Sequence, residues 1–264
     1  MTDARKLLDG HHALVTGAGS GIGAATALAL GRAGAHVSLA GRRIAPLEDV
    51  ARRMPQGSIA VVDSFDVTSE AAVSGGLKRA RAALGPITIL INNAGEAPSA
   101  PFEKTDPGLW SRTLAVNLSG AYLVSRAVLS DLKARGAGAR LINIASTAGL
   151  VGYSYVAAYC AAKHGLIGLT RALALEFAKT GITVNAICPG FTETPLIASA
   201  VETIAAKTGR SESQSKAELT KSNPQGRLVR PEEVADAVLW LASPGAASIN
   251  GQAIVVAGGE VMVG

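Results

Sequence analysis

Ala13-Leu14-Val15-Thr16-Gly17-Ala18-Gly19-Ser20-Gly21-Ile22-Gly23 decides the fold. The first four residues are short, apolar strand material that stops at glycine, and from Ile22 to Gly31 the chain is Ala/Leu-rich with helical spacing. The unit is strand, tight turn, helix. Glycines at 17, 21 and 23 let the backbone approach a pyrophosphate, and the free N–H groups of a helix start face the same spot. Taken alone the turn keeps two meanings, a dinucleotide site or a plain tight turn, because its spacing departs from the usual G-x-G-x-x-G register.

Outward from this turn the alternation repeats. Strands are expected over 36–40, 58–62, 87–91, 141–144, 183–187 and 253–257, and helices over 44–54, 71–84, 107–134, 157–179 and 231–241. Asp106-Pro107 and Arg230-Pro231 open two of these helices with proline at the first helical position. The strands are apolar throughout, so the expectation is an α/β fold with a doubly wound parallel sheet of about seven strands, covered on both faces. Residues 193–226 break the pattern. They are polar, rich in small residues and carry Lys207, Arg210, Lys216 and Lys221. An insertion after a strand's carboxyl end is where such folds place binding loops, so a small helical substrate lid is expected there, with an incidental surface insertion as the plainer alternative.

A chain of 264 residues reads as one domain, 1–264, with the lid inside it. Hydrophobic residues at 48% and charged residues at 17% exclude disorder, and no apolar run reaches the roughly 18 residues of a membrane span. Met1 to Gly10 lacks the apolar core of an export signal, which makes the cytoplasm the default. Cys160 and Cys188 each sit in an apolar run and are expected to be buried thiols, and no metal-ligand spacing occurs. The net charge is +5, yet the basic residues are scattered and aromatics make up only 4%. Nucleic acid is therefore not an expected partner; anionic small molecules such as phosphorylated cofactors or thioesters are.

Two further clusters carry chemistry. After the second strand, where a carboxylate would bind a ribose 2′-hydroxyl, the chain has Gly41-Arg42-Arg43. A missing anion and a guanidinium suit a 2′-phosphate, so NADP(H) is expected over NAD(H), unless these arginines are simply solvated. Tyr159 and Lys163 stand four apart on one helix face, thirteen residues after Ser146. A strand-end Ser and a helix-start Tyr can converge on one carbonyl oxygen, with a cation at hand to adjust the phenol. Singly, each has a plainer role: a cap, packing, a solvated charge. Tyr153 and Tyr155 lie nearby, but only Tyr159 has a lysine four residues on.

With these residues in view, the chain resembles the short-chain dehydrogenase/reductase family along nearly its whole length. The family's T-G-x-x-x-G-x-G turn stands at Thr16 to Gly23, its N-N-A-G at Asn92-Asn93-Ala94-Gly95, and its Y-x-x-x-K at Tyr159 to Lys163. The helix asparagine is matched by Asn117, the serine by Ser146, and the P-G turn with its later threonine by Pro189-Gly190-Phe191-Thr192-Glu193-Thr194. The resemblance implies a single-domain Rossmann fold and hydride transfer between a nicotinamide and a carbonyl carbon. In it Tyr159 gives the proton, Ser146 holds the oxygen, Lys163 lowers the Tyr159 pKa and binds the ribose, and Asn117 positions a water. It also implies cofactor contacts at Gly17, Ser20, Gly21, Ile22, Gly23, Arg42, Arg43, Asp66, Val67, Asn93, Ala94, Gly95, Ile187, Pro189, Gly190, Thr192 and Thr194. Asn92 then braces the sheet, and Tyr153 and Phe191 join Ser146 and Tyr159 on the substrate side.

Within the family, 177–191 and 223–227 are similar to bacterial β-ketoacyl-thioester reductases and aromatic polyketide ketoreductases, although Glu96-Ala97-Pro98-Ser99 departs from the polyketide enzymes. Residues 160–170 and 186–194 are similar to 3-hydroxybutyrate dehydrogenases. The leading expectation is an NADPH-dependent reductase of a 3-oxoacyl thioester, carried by CoA or a carrier, or of a related β-keto compound. The alternatives are an NAD-dependent 3-hydroxyacid or secondary-alcohol dehydrogenase and a catalytically silent nucleotide-binding sensor or scaffold. Family likeness also implies a homotetramer.

Overall fold

A computed structural model describes residues 7–55 and 59–262, and of Lys207 the backbone alone. Ser58, expected to start a strand, lies outside the described residues, as do 1–6 of the N-terminal stretch and the last two residues of the domain. Seven strands are described: β1 (His12–Thr16), β2 (His36–Ala40), β3 (Ile59–Val62), β4 (Ile89–Asn92), β5 (Arg140–Ile144), β6 (Thr183–Pro189) and β7 (Ala253–Val256). They form one sheet in the order β3-β2-β1-β4-β5-β6-β7, with every neighbouring pair parallel.

Helices cover both faces because adjacent residues of each strand point opposite ways. On one side α1 (Gly21–Arg32), α2 (Ile44–Arg53) and α9 (Pro231–Ala242) send Leu28, Leu47 and Val238 against Val15, Leu39 and Ile91. On the other, α3 (Glu70–Leu84), α5 (Gly120–Arg135) and α6 (Ala157–Phe177) send Leu77, Val128 and Ala174 against Leu14, Leu90 and Leu141. Each fully buried side chain of this size contributes about 1.5–3 kcal/mol of transfer energy, which is why such strands read as unbroken apolar runs.

The sheet also holds a polar seam. Asn92 Nδ2 donates to Asn143 Oδ1 and to Ser125 Oγ, each at 2.9 Å, and Asn143 Nδ2 donates to Thr170 Oγ1 at 2.9 Å. Four elements are thereby locked together beneath the sheet's carboxyl edge.

Three expectations change in the structure. The helix expected over 107–134 is α4 (Pro107–Leu114), a π-helical turn (Ala115–Ser119) and then α5. The wide turn surrounds Asn117, whose amide bonds outward to the backbone at Glu96, and Gly120 admits Val67, which would lie 2.7 Å from a Cβ there. The fourth strand starts at Ile89, two residues later than expected, and the Ile87 N–H is taken by Asp131 Oδ2 at 3.0 Å. Cys160 is partly exposed, while Cys188 is buried. Between β6 and α9 the chain forms α7 (Pro195–Thr208) and α8 (Glu212–Thr220). Among the described residues no helix is long and apolar enough to cross a membrane.

Candidate active site

Strand order reverses between β1 and β4, and the crevice at their carboxyl ends is where open α/β sheets bind ligands. Thr16 stitches the two strands: its Oγ1 accepts from the N–H groups of Asn93 and Ala94 at 3.0 Å each. Asn93 Nδ2 donates back to the carbonyls of Thr16 at 2.9 Å and Gly17 at 3.2 Å. The glycine turn is thus held from beneath. Gly17 and Gly21 have φ of +65° and +52°, a region that penalises side chains, and a Cβ on Gly23 would meet the Gly17 carbonyl oxygen at 2.3 Å.

A dinucleotide fits this cradle. Ser20 is the exposed N-cap of α1 and makes no side-chain capping bond, so the first N–H groups of the helix keep their donor capacity. Arg42 and Arg43 are exposed just past β2, and no carboxylate stands between that strand and α2. Asp66 accepts from Thr68 N at 2.9 Å and Thr68 Oγ1 at 2.7 Å. These bonds, and more weakly the charge of Arg42, hold its carboxyl below the usual range. Its neighbour Val67 is buried against Gly120 at the start of α5. Opposite the glycine turn, Thr194 caps α7, and its Cγ2 would lie 2.9 Å from a Cβ on Gly21. Thr192 Oγ1 donates to the Gly190 carbonyl at 2.9 Å, closing the turn that follows Pro189.

The candidate reactive group lies along the same edge. Ser146, two residues past β5, caps a 3₁₀ turn, and its Oγ accepts from Ala148 N at 3.1 Å. Tyr159 is the third residue of α6 and Lys163 lies one helical turn on, its Nζ 5.5 Å from the phenol ring centroid. The Lys163 ammonium donates to the Ile144 carbonyl at 2.8 Å and is nearly sealed from solvent. Burial pushes Lys163 down to about 8. It pushes Tyr159 up to about 12, opposed by the Ser146 side chain beside it. The expected lowering of the phenol by Lys163 is therefore not what governs the protein on its own; desolvation dominates, and Tyr159 is held as the neutral acid. Cys188, next to this group on β6, is pushed up to about 11 by burial and is no thiolate near neutrality.

Asn117 is 1% exposed and spends its amide on backbone. Nδ2 donates to the carbonyls of Glu96 at 2.8 Å and Thr113 at 3.0 Å, and Oδ1 accepts from Glu96 N at 3.3 Å. A Cβ on Gly95 would stand 2.8 Å from Asn117 Oδ1 and 3.8 Å from Lys163 Nζ, so the three residues converge there. On the outer side, the Tyr153 ring meets Phe191 edge-on, with centroids 6.0 Å apart. Its hydroxyl lies 3.0 Å from Thr147 Oγ1 and donates to Glu260 Oε1 at 2.7 Å. Thr16, Glu96 and Glu260 join the site although no spacing signal gives them a role, and Thr147 adjoins Ser146.

A glycine turn at a helix start, with Ser146, Tyr159 and Lys163 along the same sheet edge, suits dinucleotide-dependent redox chemistry. The family model "short chain dehydrogenase" matches residues 11–205, and the chain belongs to that family. It is 40% identical over 248 residues to acetoacetyl-CoA reductase of Rhizobium meliloti, covering 94% of this chain and 97% of that protein. It is 38% identical over 260 residues to D-beta-hydroxybutyrate dehydrogenase of Cupriavidus necator, covering 97% and 99%. Among solved structures, a point variant of actinorhodin polyketide ketoreductase with NADPH superposes with a TM-score of 0.90 at 37% identity, covering 95% and 97%.

Proposed function

We propose that this protein uses NADPH to reduce a 3-oxoacyl thioester, carried by CoA or a carrier, or a related β-keto compound. The observation that carries the reading is the Ser146–Tyr159–Lys163 group on the sheet edge beside the glycine turn. A nicotinamide dinucleotide bound there supplies the hydride. Ser146 Oγ holds the carbonyl oxygen, and Tyr159, a neutral phenol at physiological pH, gives its proton as the alkoxide forms. Lys163, a cation below about pH 8, offsets the charge left on the phenolate. Asn117 is a positioning residue that holds the Gly95–Glu96 backbone over Lys163.

Gly17, Ser20, Gly21, Ile22 and Gly23 take the pyrophosphate, Asp66 and Val67 border the adenine, and Asn93, Ala94 and Gly95 form the trough floor. Pro189, Gly190, Thr192 and Thr194 close the nicotinamide end. The exposed Arg42 and Arg43, without a competing carboxylate, support NADP(H), as does the NADPH-bound structural neighbour. α7 and α8 serve as the substrate lid, and Tyr153 and Phe191 as the outer wall. The cytoplasm is the proposed location. Tyr122 on α5 and Leu175 on α6, exposed by 46% and 82%, support a homotetramer packed through these helices, which sedimentation tests.

The likeness to D-beta-hydroxybutyrate dehydrogenase favours a second reading, NAD-linked oxidation of a hydroxyacid at the same site. Initial rates of NADPH and of NADH oxidation with acetoacetyl-CoA, with Tyr159→Phe as blank, separate the two. A Tyr159-dependent rate with NADPH preferred supports the first; equal or better use of NADH overturns the cofactor assignment.

A further inference from the structure

Glu260 is a carboxylate that neither the fold nor the proton relay requires. It follows Gly258 and Gly259, whose φ values of +61° and +93° turn the chain back over the sheet edge. The turn is packed closely enough that a Cβ on Gly258 would meet Asn223 Oδ1 at 2.3 Å. Glu260 Oε1 accepts from the Tyr153 hydroxyl at 2.7 Å and from Ser222 Oγ at 2.9 Å. Oε2 would lie 2.7 Å from a Cβ on Gly190. The carboxylate thus stands among Tyr153, beside Thr147 and Ser146 on one side, and the Gly190–Phe191 turn on the other.

Its charge has no counter-ion: among the described residues no Lys, Arg or His forms an ion pair with it. Burial, and more weakly the hydrogen bond and charge of Glu260, push the Tyr153 phenol up, so Tyr153 stays a neutral donor to it. A glutamine would accept the same two hydrogen bonds. The clasp between the tail, Tyr153 and Ser222 therefore does not need the charge, and what the charge changes is the field in the cleft.

We propose that Glu260 is a specificity-determining residue, whose carboxylate excludes substrates that carry a carboxylate beside the reacting carbonyl and admits neutral esters and thioesters of the same acids. The inference rests on the reading that Ser146 and Tyr159 hold that carbonyl. A second carboxylate brought into the same cleft, in surroundings of intermediate polarity, loses on the order of tenfold to a hundredfold in affinity. This charge works against the hydroxyacid reading, in which the substrate is itself an anion.

The test is kcat/KM with NADPH for methyl acetoacetate and for acetoacetate, in the wild type and in Glu260→Gln. The ester-to-acid ratio should fall by about tenfold or more in the variant, through a gain on the acid. A ratio that stays the same overturns the proposal and leaves Glu260 as a clasp only. A second arm needs neither variant nor turnover: butyramide and butyrate are titrated against the NADPH-saturated wild type by ligand-observed NMR. Tighter binding of butyramide is expected; equal or tighter binding of butyrate overturns the proposal. Absence of turnover with either substrate, alongside a preference for butyramide, would fault the reductase reading and not this one.

Discussion

Lys163 and Asn117, in the floor of the site, expose 4% and 1% of their surface and bond to backbone carbonyls. Lys216 and Arg210, in the proposed lid, have side chains 51% and 48% exposed and pair with Glu193 and Glu218 at the surface. The difference concerns what each kind of charge can do. A buried cation whose hydrogen bond fixes it to a strand end has one position, so it can fix the geometry beside a neighbour and offset a charge that the neighbour acquires. Exposed pairs are worth about 0–1 kcal/mol and exchange partners readily, which suits a surface that receives an anionic handle without shaping the chemistry. On this account the floor sets the rate and the lid sets which substrates linger.

The largest effect is expected from Lys163→Met. It leaves the Ile144 carbonyl without its donor and the phenolate without its cation, and kcat should fall by about 10²–10⁴-fold. A loss of a few-fold would put the floor on a par with the lid. Next in size is Arg42→Leu, expected to raise the KM for NADPH by roughly tenfold to a hundredfold and to spare NADH. Equal effects on both cofactors would mean that Arg42 acts on the fold.

The pH profile follows from Lys163. Its pKa is depressed to about 8, so it is charged below that value and neutral above it. The value of kcat/KM for reduction should therefore hold through neutrality and decline as pH rises through about 8. A profile flat to pH 10 would remove Lys163 from the relay. The smallest effect belongs to the lid. Lys207→Glu/Lys216→Glu should raise the KM for acetoacetyl-CoA by a few-fold and leave methyl acetoacetate untouched. No change with the CoA ester would end the case for phosphate contacts there.

Much of the fold could be read from the chain because each level repeats the same message. Apolar runs at 13–16 and 141–144 fall almost residue for residue on β1 and β5, since burial on both faces leaves a parallel strand no polar side. What escaped depends on contacts remote in sequence. The π turn at Ala115–Ser119 answers to an amide bonded 21 residues away, and α-helical spacing carries no trace of it. Ser146, Tyr159 and Lys163 declared themselves because helix geometry ties spacing to a shared face. Glu260 reaches Tyr153 from 107 residues away through a tail whose path is set by two glycines, and nothing local to either residue announces the meeting. The upward push on the Tyr159 phenol was likewise invisible, because desolvation is a property of the packed site and not of the Y-x-x-x-K spacing.

In the proposed mechanism Tyr159 is the proton donor and not a packing residue. NADPH affinity by fluorescence titration and kcat for acetoacetyl-CoA reduction, both measured for the wild type and Tyr159→Phe, separate the two roles. Affinity within about threefold and kcat lower by at least about 10²-fold are expected. Turnover retained in the variant, or affinity lost in step with turnover, would contradict the donor role.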